Sequence, residues 1–238
     1  MKILLLAAGR APAETDPPTL LAEHAGGLLV ERFAAAFAGL DADLVVAVRQ
    51  SHMRQFRIGD VIGLAAPGAA VVAIDGEPQG AACSALLCID HIDPERELLI
   101  VSGNEWLDID YGLPVARFRL QGLDAGVVTF PSLHPRYSYV RLDEAGAVQE
   151  AAERRPISRA AMASFHWFRR GGDFIAGAKN VIAKDAQVDG QFYVSLVLNE
   201  LVLRQKRIGT YPVEANRYRP LKTRRQVETY EAEMELAS

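Results

Sequence analysis

Asn104 and Glu105 directly follow the apolar run ELLIVSG (97–103), and an amide oxygen with a carboxylate at the end of a buried strand can hold a hard cation or a polar ligand. The same two residues read equally well as a structural turn. Asp108-Ile109-Asp110 comes next. Its carboxylates could serve a metal, but their alternation with Leu107 and Ile109 better describes a strand or turn with its polar side in water. Glu153-Arg154-Arg155 sets a carboxylate beside two guanidinium forks, whose geometry suits bidentate contact with phosphate; the plain alternative is an exposed charge cluster on a hairpin. LHPRYSYVR (133–141) joins His134, two arginines and two tyrosines, or is simply a loop capped by Pro135. The five histidines, His24, His52, His91, His134 and His166, include no pair at the i, i+4 spacing of a helical metal site. Cys83 and Cys88 lie in the apolar segment AACSALLCI and read as core thiols, and Trp106 and Trp167 as packing residues.

The rest of the chain must supply a scaffold for these groups. Its 238 residues suffice for one sizeable core, and no linker-like or low-complexity stretch divides it, so a single domain over 1–238 is expected. A formal net charge of -4 gives no electrostatic footprint for nucleic acid. The opening MKILLLAAGR has one lysine ahead of a short apolar run, and the following AETDPP is unlike a cleavage site, so it reads as a buried first strand rather than a secretion signal. No run approaches the roughly 20 apolar residues of a membrane helix. These readings predict a soluble, cytoplasmic protein.

Short β-rich runs alternate with helical stretches. KILLLAA (2–8), DLVVAVR (43–49), AAVVAID (69–75), ELLIVSG (97–103) and GVVTFPS (126–132) are the strand candidates. Within GGLLVERFAAAFAGL (26–40), Leu28, Leu29, Phe33, Ala36, Phe37 and Leu40 recur at helical spacing, and GAACSALLCIDHI (80–92) reads as a second helix. The pattern predicts an α/β fold, Rossmann-like, with a mixed, mostly parallel sheet and helices on both faces. SYVRLDEAGAVQEAAER (138–154) predicts a hairpin about Asp143–Gly146, and 157–182 a strand followed by a helix begun near Gly172-Asp173. The tail predicts a terminal helix with Thr223 as its N-cap.

In sheets of this kind ligands sit beyond the carboxyl ends of the strands, which singles out the loops after the first and fourth. The first, Leu6-Ala7-Ala8-Gly9, resembles the LAAGxGxR opening of the sugar-nucleotide pyrophosphorylases, a nucleotidyltransferase family. The likeness extends in order along nearly the whole chain. GGLLVERFAAAF resembles the family's GKPMIE helix, and Gln79-Gly80-Ala81-Ala82 with Ser84–Leu87 its base-contacting GxAxAL segment. LLIVSGNEWLDID resembles its fourth strand and metal turn, Glu153–Ser158 its vEKPxxS element, ASFHWFR its aGiYxFr strand and GQFYVSLVLNEL its acceptor-side segment. The resemblance implies nucleotide binding by Leu6, Ala7, Ala8, Gly9, Gln79 and Gly80, with loop N–H groups around phosphates. It implies sugar-phosphate binding by Glu153 and Arg154, and catalysis near Arg10, Asn104 and Glu105.

The chain also departs from that pattern. The family's second loop glycine falls on Ala11 and its arginine on Ala13, the phosphate-binding lysine on Thr19 and a second lysine on Gly27. No lysine occurs between Lys2 and Lys179, which leaves Arg10 and Arg32 as substitutes. The two metal aspartates fall on Asn104 and Pro220. An active enzyme of this kind would use Mg²⁺, held by Glu105 or Asp110 with the substrate phosphates. The resemblance therefore implies transfer of a nucleotide from a nucleoside triphosphate to a sugar phosphate or similar small phosphorylated acceptor. Two alternatives stay open: a non-catalytic relative that binds a nucleotide, sugar nucleotide or partner protein in a polysaccharide or glycan pathway, and a glycosyltransferase using Asp108-Ile109-Asp110. Self-association into a homo-oligomer is left open as well.

Overall fold

The computed structural model describes residues 1–9, 17–24, 26–223, 225, 226, 228, 229 and 232. Its strands are β1 (Lys2–Ala7), β2 (Glu23–His24), β3 (Gly27–Leu28), β4 (Asp43–Arg49), β5 (Ala70–Ile74), β6 (Leu98–Ser102), β7 (Glu105–Leu107), β8 (Ala125–Pro131), β9 (Ser138–Leu142), β10 (Val148–Glu153), β11 (Ala160–Phe168), β12 (Ile208–Pro212) and β13 (Tyr218–Pro220). Its helices are α1 (Leu29–Phe37), α2 (Gln50–Phe56), α3 (Ile58–Ala65), α4 (Ala81–Leu86), α5 (Gly112–Leu120), α6 (Gly171–Ala183) and α7 (Val194–Leu203).

Apolar residues on both sides of β1 place it inside the sheet, between β4 and β6, parallel to each. β5 extends this parallel group beyond β4. On the other side β11 pairs antiparallel with β6, and β8 antiparallel with β11, so β8 and its parallel partner β12 again run with β1. The β9–β10 hairpin joins the start of β11, completing a nine-stranded sheet among the described residues. This is the mixed, mostly parallel α/β arrangement that the alternating pattern predicts.

Alternation along β1 sends Ile3 and Leu5 into one core and Leu4 and Leu6 into the other. Leu29, Val30, Phe33 and Phe37 of α1, Ile58 and Ile62 of α3, and Val115 and Phe118 of α5 close the first. Ala82 and Ala85 of α4, Phe174 and Ala178 of α6, and Val197, Leu198 and Leu201 of α7 close the second. Cys88 is buried in that second core and Cys83 half-buried, both unpaired.

Local differences from the sequence reading have local causes. The predicted 26–40 helix begins only at Leu29, because Gly27–Leu28 pairs with Glu23–His24; Glu31 Oε2 accepts the Leu28 N–H at 2.7 Å at the helix start. The predicted 80–92 helix narrows after Leu86 into a 3₁₀ turn at Ile89–His91. The 138–154 hairpin forms as expected, and Asp143 Oδ1 accepts the N–H groups of Ala145 and Ala147 at its turn. Thr223 caps as expected: its Oγ1 accepts the Gln226 N–H at 3.3 Å while Gln226 Oε1 accepts the Thr223 N–H at 3.1 Å. Most of the tail helix predicted after it lies outside the described residues.

The edge of β10 is closed by α7. Asn199 Oδ1 accepts the Ala151 N–H at 2.8 Å and Asn199 Nδ2 donates to the Ala151 carbonyl at 2.9 Å. One turn earlier, Ser195 Oγ donates to Glu153 Oε1. A side-chain amide thus takes the place of a further strand and fixes where Glu153 and Arg154 emerge.

Candidate functional site

The carboxyl ends of β1, β4, β5 and β6 open onto one cleft of about 670 Å³. Leu6, Ala7, Ala8 and Gly9 form one wall, where the Gly103 N–H donates to the Leu6 carbonyl at 2.8 Å and ties the first loop to the fourth. Gln79 and Gly80 form a second wall. Gly80 has φ +100°, and a Cβ there would lie 2.4 Å from the Phe192 carbonyl oxygen, so only glycine fits. The Phe192 N–H in turn donates to the Gln79 carbonyl at 2.8 Å, which brings the segment before α7 against the cleft. Asn104 lines the floor, its Oδ1 accepting from Ser102 Oγ at 2.7 Å. Arg154 lines the far side and pairs with Asp189 at 2.6 Å, both exposed.

Of the residues singled out in the sequence, Leu6, Ala7, Ala8, Gly9, Gln79, Gly80, Asn104 and Arg154 therefore share the cleft. Glu105 and Glu153 do not line it. Glu105 is buried, Oε2 accepting the Ser164 N–H at 3.0 Å and Oε1 pairing with Lys222 Nζ at 3.2 Å. Glu153 is buried against Ser195, and burial pushes its carboxyl above the usual range despite hydrogen bonds from Ser138 and Ser195 and the charges of Arg154 and Lys222. Arg10, with Ala11, Pro12 and Ala13, lies outside the described residues. Arg32 does not act as a cleft cation, because its guanidinium sits over the Trp106 ring at 5.7 Å. Trp106 packs on Phe33 and Tyr111, as a core residue should. His134 is exposed, its carbonyl accepting from Tyr139 OH, and lines no part of the cleft.

Several cleft residues escaped the sequence reading. Arg49, at the end of β4, reaches the cleft with 11% of its side chain exposed and faces Glu77 at 3.4 Å. His52 of α2 is buried beside it, and burial together with the Arg49 charge lowers its imidazole below the usual range. Lys222 enters from beyond β13. The rule that ligands gather at strand ends pointed to Arg49, the last residue of DLVVAVR; Lys222 carried only the signal of lying two residues past Pro220.

The described residues do not form the Mg²⁺ site that the resemblance implies. Among the described residues no three His, Cys, Asp or Glu side chains come together as a cage. Asp110 Oδ1 accepts the Gly112 N–H at 2.8 Å at the start of α5, and Asp108 Oδ2 pairs with Arg217 Nη1 at 3.1 Å. Neither they nor Glu105 face the cleft, so the expected ligands Glu105 and Asp110 are corrected to structural partners. Among the described lining residues the acid is Glu77, against the cations Arg49, Arg154 and Lys222. Each cation has a carboxylate partner, but those of Arg154 and Lys222, Asp189 and Glu105, do not line the cleft, and N–H donors of this kind in a concave site suit a phosphorylated ligand.

No protein-family model matches the chain, and no curated protein matches it significantly in sequence. Solved structures match it over nearly its full length. A nucleoside-diphosphate-sugar pyrophosphorylase from Vibrio cholerae RC9 superposes with a TM-score of 0.82 at 18% identity, covering 98% of this chain and 100% of that one. A putative glucose-1-phosphate thymidylyltransferase from Bacillus anthracis, in complex with a sucrose, gives 0.74 at 17% identity, covering 97% and 94%. UDP-glucose pyrophosphorylase complexed with UDP-glucose gives 0.78 at 10% identity, covering 100% and 99%. The chain thus has the nucleotidyltransferase fold of the sugar-nucleotide pyrophosphorylases, as LAAG and the ordered segments after it suggested. No helix among its described residues is long and apolar enough to cross a membrane.

Proposed function

We propose that this chain is a nucleotidyltransferase-like protein whose cleft binds a nucleotide or sugar nucleotide together with a sugar phosphate or similar small phosphorylated acceptor. The observation that carries this reading is the convergence of Leu6–Gly9, Gln79–Gly80, Asn104 and Arg154 on one cleft, with Arg49, Lys222 and Glu77 as the other charged groups among its described lining residues. The full-length likeness to pyrophosphorylase structures supports it. In transfer, an acceptor phosphate oxygen attacks the α-phosphorus of a nucleoside triphosphate, a P–O bond forms, and pyrophosphate leaves with the electron pair of the broken bond. Arg154 and Lys222 would stabilise the negative charge that builds on the phosphates, and the backbone walls at Ala8 and Gly80 would orient the nucleotide. The test is pyrophosphate release across a panel of nucleoside triphosphates and sugar phosphates, with and without Mg²⁺. Absence of turnover with every pair refutes the transferase reading.

A second reading is a relative that binds the same ligands without turnover, in a polysaccharide or glycan pathway. It is favoured by the engagement of Glu105 and Glu153 in internal partners rather than in the cleft. Its signature is a ligand-dependent rise in melting temperature without pyrophosphate release. For the glycosyltransferase alternative, Asp108 pairs with Arg217 and Asp110 Oδ1 accepts the Gly112 N–H, and neither residue lines the cleft. We assign the protein to the cytoplasm and to small-molecule rather than nucleic-acid partners, on the composition; a homo-oligomer is compatible with the same reading and is tested by light scattering.

A further inference from the structure

The two stretches that the resemblance marks for metal do meet in space. β7 and β13 lie antiparallel with Glu105 opposite Pro220, and the Leu221 N–H donates to the Asn104 carbonyl at 2.8 Å. What they bring together is an ammonium and a carboxylate, Lys222 Nζ and Glu105 Oε1 at 3.2 Å. Glu105 stands behind, with 10% of its side chain exposed and its other oxygen held by the Ser164 N–H. Lys222 stands in front, 49% exposed and lining the cleft beside Asn104. An ammonium carries three N–H donors, and a carboxylate behind it occupies only the side turned away from the cleft. The buried carboxylate also holds the long lysine stem in one place, so less side-chain freedom is lost when an anion arrives.

Resting on the nucleotide reading of the cleft, we propose that the Lys222 ammonium, anchored by Glu105, takes the place of a divalent cation for the ligand's diphosphate, so that binding in this cleft needs no metal. The positive charge is built into the chain beside the floor at Asn104, and among the described residues no carboxylate pair is left there to recruit Mg²⁺.

Isothermal titration of the full chain with the glucose esters of UDP, TDP, GDP, CDP and ADP tests this, in excess EDTA and in excess Mg²⁺ at matched ionic strength. For whichever ester binds, the Kd is expected to agree within about threefold between the two buffers, and Lys222→Gln is expected to weaken binding in EDTA about tenfold or more. Lys222→Arg, which keeps the charge, is expected to stay within about threefold of the parent chain; it carries the comparison if Lys222→Gln lowers the melting temperature. Binding at least about tenfold weaker in EDTA, or a Lys222→Gln chain that binds like the parent, overturns the proposal while leaving the nucleotide site standing. No binding of any ester in either buffer overturns the nucleotide reading itself, and this inference with it.

Discussion

Acid should weaken this protein through His166. The residue lies in the middle of β11, opposite Ile100 of β6 on one side and Val127 of β8 on the other, and it is buried with no hydrogen-bond partner for Nε2 among the described residues. Burial pushes its imidazole down to about 4 from an ordinary value of 6.5. A base whose folded pKa is depressed is neutral in both states at high pH. As the pH falls below the ordinary value, the unfolded chain takes up a proton that the folded chain refuses, and stability drops until the folded pKa is reached. A gap of roughly two and a half units at 1.36 kcal/mol per unit amounts to a loss of about 3 kcal/mol between pH 7.5 and pH 4. Against a typical total of roughly 5–15 kcal/mol, that is a large fraction. The comparison is between the parent chain and His166→Leu, by urea unfolding at several pH values across that window. The other titrating groups are common to both chains and cancel to first order, so the difference in stability between the two should change by about 3 kcal/mol in favour of the variant as the pH is lowered. Parallel pH profiles for the two chains would refute the reasoning.

Glu153 should behave in the opposite sense, because its folded pKa is raised. Its contribution is full in acid and is lost as the pH rises, so Glu153→Gln should gain in melting temperature relative to the parent as the pH rises from acid to neutral. Gly80→Ala forces a side chain onto φ +100° and against the Phe192 carbonyl, and should cost about 1–3 kcal/mol by thermal unfolding and abolish calorimetric nucleotide binding. Asn199→Ala removes both hydrogen bonds to Ala151 and should cost about 1–3 kcal/mol, with faster hydrogen exchange at β10 amides than elsewhere in the sheet.

The parallel core was legible because strands covered on both faces leave continuous apolar runs: DLVVAVR spans β4 to the residue, and AAVVAID exceeds β5 by one residue at each end. The β9–β10 hairpin was legible from its turn chemistry. Helices with a weak apolar stripe were not. α5 (GLPVARFRL) carries a proline and two arginines and buries only Pro114, Val115 and Phe118. α2 and α3 are separated at Arg57, whose left-handed φ of 50° leaves no glycine or proline as a marker. In the cleft, the backbone walls could be read because Leu6–Gly9 and Gln79–Gly80 resemble ordered pyrophosphorylase segments at the ends of strands, where ligands gather. The charges could not, because whether Glu105 faces ligand or protein depends on Ser164 and Lys222, which approach from far along the chain. Lys222 itself is brought in by a strand of three residues that no periodicity reveals.

That short strand gives the tail a further property. β13 is held to β7 by a three-residue ladder and by the Phe130–Tyr218 ring stack at 4.1 Å, while the central strands are held on both edges. Its opening should therefore need less free energy than unfolding of the sheet, and each opening carries Lys222 away from the cleft. A ligand that grips Lys222 would have to suppress those openings, and protection of the Tyr218–Leu221 amides against deuterium, or of the tail against protease, would then report occupancy of the cleft without any measurement of chemistry.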